Sequence, residues 1–245
     1  MLEPERTMMM RLDRFLSEAG VGTRKELREM IRSGRVTLNG EIVKRPEQKM
    51  DEAGAIVLVD GVAVRRPGTV VLMLHKPAGY VTSTDEPGSR TVMELLPPEY
   101  QKLFPVGRLD KDTEGLLLFT NDGELCHTLT SPKHRVEKEY YAETDGEIDE
   151  ADIAAFRAGI RLKDGTQCLP ALLRPGKQGC FVVVREGKYH QVRRMLASRG
   201  KPVKYLRRER EGDLVLGQLS PGEYRLLFPE EISQLGKLPQ KKMDF

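Results

Sequence analysis

"GRLDKDTEGLLLFTNDG", Gly107 to Gly123, is the stretch on which the reading of the whole chain turns. It sets Asp110, Asp112, Glu114 and Asp122 around Arg108 and Lys111, with an apolar run inside it. "DKDTEG" fits the first six positions of an EF-hand loop, but position twelve would be Asn121, which lacks the bidentate carboxylate that completes a calcium shell. The following "LLLFT" reads as a buried strand, not as the helix such a loop needs. A haloacid-type phosphatase requires its apolar strand before an Asp-x-Asp pair, and here the strand comes after. The chain has no Gly-x-x-x-x-Gly-Lys phosphate loop. What remains is a shaped turn. Gly107 and Gly115 allow tight backbone geometry on either side, and Asp110 follows the apolar Leu109. Asp112 and Glu114 read as solvated turn residues, and Asp122 as the cap of the next helix.

The chain around this turn has 245 residues, 31% of them charged and 39% hydrophobic, with a formal net charge of only +3. The charge is unevenly spread. Arg185 to Arg210 holds ten Lys/Arg against two Glu, so the remainder is acidic overall. Cys126, Cys168 and Cys180 have neither zinc-site spacing nor an even number for a disulfide framework, which fits free thiols in a reducing cytosol. No apolar run approaches the roughly 20 residues of a membrane span. "MLEPERTMMM" does not read as a secretory signal and is expected to be a disordered leader.

Ahead of the turn, Leu12, Phe15, Leu16 and Ala19 fall on one face of a short helix ended by Gly20 and Gly22. Thr23 and Glu26 make a capping-box signature for a second helix with Leu27, Met30 and Ile31 as its apolar face and Gly34 as its stop. Arg24, Arg28, Arg32 and Arg35 recur along one side of this helix. "VTLNGEIVKRP" then predicts a β-hairpin turning at Asn39-Gly40. "VRRPGTV" interrupts the periodicity and reads as a linker. Beyond it, strands are expected in "VVLMLHKP", "GLLLFTNDG", "KEYYAET" and "CFVVVREG". Helices are expected in "RTVMELLP", "DGELCHTLTSP", "EADIAAFRAGI" and "HQVRRMLASRG", and a strand pair in "GDLVLGQLSPGEYRLL". The spacing lacks the regular alternation of a parallel sheet, so the class is α+β and mostly antiparallel. The expected division is 10–60, a linker 61–69, a larger domain 70–236 and a flexible tail 237–245.

The two short helices, the basic stripe and the hairpin together resemble the small RNA-binding S4 domain. "GRLDKDTEGLLLFTNDG" resembles the signature of the pseudouridine synthases, G-R-L-D-x-x-T-x-G-L-L, and three further segments match that family in its order: "HKPAGYVTS", "EKEYYAET" and "EGKYHQVRRML". Within it, "TSPKHRVEKEY" and "RRERxGxLxL" followed by "PGEYRLL" resemble the RsuA branch, which acts on the small subunit. Glu211 departs from the pattern, standing where an apolar residue is expected.

This resemblance implies an isomerase that converts a uridine of small-subunit (16S) ribosomal RNA to pseudouridine without cofactor or metal. The expected partner is rRNA in a partly assembled subunit, met by a cytoplasmic monomer with no membrane contact. It assigns Asp110 the catalytic carboxylate, as nucleophile at the anomeric carbon or as base on the ribose. Arg193 becomes the cation that pairs with it, Tyr140 the ring that holds the base, and Arg108 the side chain that fills the place of the flipped nucleotide. Arg24, Arg28, Arg32 and Arg35, with Lys76, His190, Gln191, Arg194, Arg207 and Arg208, are implied RNA contacts. Tyr141, next along the strand, should face away from Tyr140. The alternatives are a synthase acting on large-subunit (23S) rRNA and a non-catalytic assembly factor.

Overall fold

The computed structural model describes residues 9–51, 55–65 and 68–235, and its contacts divide the chain into two units, 1–69 and 70–245. Arg66 and Pro67 of the linker, most of the expected leader and the expected tail lie outside the described residues.

The first unit begins with strand β1 (Met9–Arg11) and helices α1 (Leu12–Glu18) and α2 (Arg24–Arg32). Strands β2 (Val36–Leu38), β3 (Glu41–Ile42), β4 (Lys49–Asp51), β5 (Val57–Val59) and β6 (Val62–Val64) follow. The capping box forms as the sequence requires: the Thr23 amide donates to Glu26 at 2.7 Å and the Glu26 amide to the Thr23 hydroxyl at 3.4 Å. β2 and β3 make the expected hairpin, with Asn39 and Gly40 both at positive φ, as its tight turn demands. Leu12, Phe15, Leu16, Leu27, Ile31 and Val36 close a small core beneath the helices.

The second unit comprises β7 (Val71–Lys76), β8 (Phe104–Val106), β9 (Glu114–Thr120), α3 (Gly123–Thr130), β10 (Lys138–Thr144), α4 (Glu150–Ala158), β11 (Leu172–Gly176), β12 (Gly179–Val184), α5 (Gln191–Ser198), β13 (Val203–Glu211), β14 (Leu214–Val215), β15 (Tyr224–Leu226) and α6 (Pro229–Leu235). One mixed sheet runs β11-β12-β10-β13-β9-β7-β15, with β14 on β13 and β8 on β9. Every pairing is antiparallel except β13 with β9, where Arg207 and Arg208 meet Glu114 and Gly115. The class is therefore α+β and mostly antiparallel, as expected.

β7 and β9 are buried on both faces, so their sequences run apolar without alternation. Val71, Met73, Leu116 and Leu118 enter one core, and Leu72, Leu74, Leu117 and Phe119 enter the other. Each such side chain contributes about 1.5–3 kcal/mol by leaving water. This rigid pair carries the Asp110 turn at its end.

Two expectations are corrected. "RTVMELLP" forms only a 3₁₀ turn at Val92–Leu95. Two strands do form in "GDLVLGQLSPGEYRLL", but they do not pair with each other: β14 joins β13 and β15 joins β7.

Candidate active site

The turn at Asp110 is fixed by neighbours that saturate its backbone. Leu109, buried, donates its amide to the Thr82 hydroxyl at 3.1 Å and receives that hydroxyl on its carbonyl at 2.8 Å. The Gly79 amide donates to the Lys111 carbonyl at 2.7 Å. Gly107 has φ 72°, the left-handed region that favours glycine. Gly115 is more constrained still: at φ 106°, any Cβ would stand 2.3 Å from the Arg208 carbonyl oxygen across the parallel pairing. Both glycines that frame the turn are thus dictated by backbone geometry.

Two cations clamp this turn. Lys76, fully buried at the end of β7, points its ammonium at the carbonyl oxygens of Pro77, Asp110, Lys111 and Thr113, at 2.8–3.3 Å. Burial pulls its pKa down to about 8, against the attraction of Asp112, Asp110 and Glu114. From the outer side, Arg193 on α5 meets the Asp112 carboxylate at 3.0 Å and the Asp112 carbonyl at 3.3 Å.

The expectation that Arg193 pairs with Asp110 is therefore corrected: its carboxylate partner is Asp112, two residues on. The neighbour at Asp110 is His190, whose Nε2 lies 3.5 Å from Oδ1. Asp110 is also not deeply buried, its side chain being 32% exposed, so solvent as well as a neighbouring group meets its charge. Asp112 and Glu114 are not idle turn residues either: Asp112 anchors Arg193, and Glu114 accepts the Tyr205 hydroxyl at 2.8 Å. Asp122 caps α3 through the amides of Glu124 and Leu125, as expected.

Tyr140 sits on β10 directly opposite Arg208 of β13 and packs between two of the unit's apolar cores. Burial raises its pKa, against the pull of the Arg208 guanidinium, so its hydroxyl keeps its proton at neutral pH. Tyr141 faces the other way, against Phe181 and Tyr205, as strand alternation requires.

Arg208 is corrected as an RNA contact. It is 1% exposed, donates Nε–H to the Leu116 carbonyl at 2.7 Å and meets Glu211 at 3.3 Å. Glu211, the residue that departs from the family pattern, is fully buried, as an apolar residue there would be, and also faces Lys138 at 3.4 Å. Lys76 and Gln191 are corrected for the same reason. Lys76 is spent on carbonyls, and Gln191, 5% exposed, accepts from the Lys188 amide and donates to Glu186. Arg35, Arg194 and Arg207 are more open but are held by Asp60, Asp164 and Glu209. Arg24, Arg28, Arg32 and Arg108 are exposed, with no acid within salt-bridge distance among the described residues.

Thr82, Lys138 and the clamping role of Lys76 were missed by sequence reasoning. Lys76 did carry a signal, a lysine closing an unbroken apolar run, whereas Thr82 was marked only as a member of the "HKPAGYVTS" segment. A separate concavity of about 180 Å³, lined in part by Val136, Arg185 and Leu235, is not bordered by Asp110, Tyr140 or Arg193.

An open carboxylate on a rigid turn, with a neutral tyrosine in the same unit, in a chain that also carries a separate S4-like unit, fits an enzyme that works on RNA. Residues 70–198 match the RNA pseudouridylate synthase family and residues 10–56 the S4 domain. The chain belongs to that synthase family and is an RNA-modifying isomerase. It is 40% identical to "Ribosomal small subunit pseudouridine synthase A" of Vibrio parahaemolyticus, over 92% of this chain and 99% of that relative. It is 38% identical to "Uncharacterized RNA pseudouridine synthase YtzG" of Bacillus subtilis, over 93% and 99%. A solved structure described as "Crystal structure of pseudouridylate synthase" superposes with a TM-score of 0.67 at 36% identity, covering 92% of this chain and 99% of that one.

Proposed function

We propose that this enzyme converts one uridine of small-subunit ribosomal RNA to pseudouridine, with Asp110 acting at the ribose. The observation that carries the reading is the clamped turn, which holds an accessible carboxylate 3.5 Å from His190 and close enough to Tyr140 for its charge to act on that hydroxyl. The named small-subunit relatives from Vibrio parahaemolyticus and Salmonella typhimurium, each 40% identical, support the choice of RNA. The reaction breaks the N1–C1′ bond and forms C5–C1′. The C5 proton leaves to solvent and N1 gains one, so atoms balance with no redox partner.

The residues share the work. Arg24, Arg28 and Arg32 hold phosphates through charge. Extruding the base costs a few kcal/mol, and Arg108, exposed and with no acid within salt-bridge distance among the described residues, takes the vacated place. Tyr140, neutral, contacts the extruded uracil through its ring. Asp110 then attacks the anomeric carbon or removes a ribose proton. Lys76 and Arg193 keep the turn in place throughout, so little reorganisation is left for the reacting state. Ribosomal RNA places the reaction in the cytoplasm, and among the described residues no helix is long and apolar enough to cross a membrane.

Asp110→Asn is expected to stop tritium release from C5-labelled uridine in rRNA, by at least a thousandfold, while RNA affinity stays within a few-fold. A normal rate from this variant removes Asp110 from the mechanism. Assaying 16S and 23S transcripts side by side tests the substrate, and product confined to 23S rRNA overturns the small-subunit reading.

A further inference from the structure

Just outside the proposed centre stands an aromatic pair that the reaction as described does not use. Tyr189 is 75% exposed, and its ring stacks on the His190 imidazole with centroids 3.8 Å apart and planes 17° from parallel. The same imidazole reaches to 3.5 Å from the Asp110 carboxylate. One face of Tyr189 is thus covered by the group beside Asp110, and the other is open to solvent.

The pair is held in advance of any ligand. His190 adopts φ 47°, ψ 36°, a left-handed conformation unfavourable for a residue with a Cβ. Around it, the Gln191 side chain accepts from the Lys188 amide at 3.0 Å and donates to Glu186 at 2.8 Å. The Gln191 amide donates to the Lys188 carbonyl at 3.1 Å, and Arg194 donates to the Tyr189 carbonyl at 3.3 Å. The cations at this turn, Lys188 and Arg194, are each matched by an acid, Glu186 and Asp164. The distinctive offering here is a flat π-face and not free charge. RNA loops present unstacked bases to such faces, and stacking on them tolerates any base.

We propose that Tyr189, backed by His190, is a stacking subsite for the nucleobase adjoining the target uridine. This rests on the reading that Asp110 works on an extruded uridine, since a nucleotide held at Asp110 brings its neighbour to the rings. Extrusion unstacks that neighbour on one side, and Tyr189 replaces the lost face. The subsite contributes to binding and register and takes no part in bond making.

The test uses the full chain and the rRNA transcript it modifies. Tyr189→Ala is expected to raise KM roughly 5- to 100-fold with the loss absent from kcat, and Tyr189→Phe to regain most of it, because the ring and not the hydroxyl stacks. The chain has no tryptophan, so Tyr189→Trp also installs a single reporter. Its emission is expected to be quenched by that transcript and to recover when high salt releases the RNA. A Tyr189→Ala enzyme with wild-type KM, or a tryptophan unaffected at saturating RNA, overturns the subsite. Either result leaves the Asp110 reading standing, which fails only by the activity of Asp110→Asn.

Discussion

Two arginine-rich regions look alike in the sequence and behave oppositely in the fold. On α2, Arg24, Arg28 and Arg32 are exposed, with no acid within salt-bridge distance among the described residues. Between Arg185 and Arg210, by contrast, each of the ten cations has an acidic partner. Arg185 and Arg210 meet Glu137, Arg193 meets Asp112, Arg199 and Lys201 meet Asp152, and Lys204 meets Asp145. The others, Lys188, Arg194, Arg207 and Arg208, meet Glu186, Asp164, Glu209 and Glu211. Most of these acids come from the acidic surplus of the rest of the chain, and Glu186 and Glu209 come from the run itself. Local charge density therefore says where cations are, and tertiary pairing decides whether they are available to a phosphate.

The largest effect separating the two regions is expected at the buried end of the paired run. Glu211→Leu leaves Arg208 buried, and Lys138 partly buried, without their acid, and breaking such a pair costs about 3–5 kcal/mol. Urea unfolding should show this loss. A variant within about 1 kcal/mol of wild type would mean that the site tolerates unpaired charge, and would reopen Arg208 as a ligand for RNA.

A smaller and opposite signature is expected on α2. Replacing Arg24, Arg28 and Arg32 together by Ala should weaken rRNA binding about 10- to 100-fold and lower the salt slope of log K by about 2 to 3, with the melting temperature unchanged. Lys204→Ala combined with Arg207→Ala, which remove ion-paired cations, should move the slope by less than about 1. Equal slopes for the two sets would erase the distinction between free and paired charge.

Much of this was legible beforehand. Short-range signals survived folding: the Thr23–Glu26 box, the Asn39–Gly40 turn, the Asp122 cap and the alternation of Tyr140 with Tyr141 all depend on residues within a few positions. The Asp110 turn was also readable, because Gly107 and Gly115 both adopt positive φ at its ends, although the close approach of Arg208 to Gly115 is set by tertiary pairing. Partner identity was not. Arg193 takes Asp112 and not Asp110, and Arg208 is buried, because α5 and β13 meet β9 at a register that no local pattern encodes. Lys76 was misassigned for a related reason: four carbonyl groups from two segments converge on its ammonium only once β7 and the turn are docked.

Lys76 also sharpens the contrast, since a paired cation can titrate where a solvated arginine does not. Its pKa lies at about 8, lowered by burial. The protonated amine has three hydrogens for its four carbonyls, and the neutral amine has two. Turnover is expected to be level below about pH 8 and to fall as pH rises through it, by up to about tenfold per unit if the charged clamp is required. Stability moves the other way. The folded chain releases this proton at lower pH than the unfolded chain, whose lysine holds it to about 10.4. Between these two values the unfolded state binds more protons, so Lys76 makes stability rise with pH while activity declines. Lys76→Met, which cannot titrate, should be slow throughout and lack the Lys76 inflection, which separates the clamp from ionisation of the uracil itself. A wild-type profile flat to pH 9.5, or the same inflection in Lys76→Met, would show that the turn holds Asp110 without the ammonium's charge.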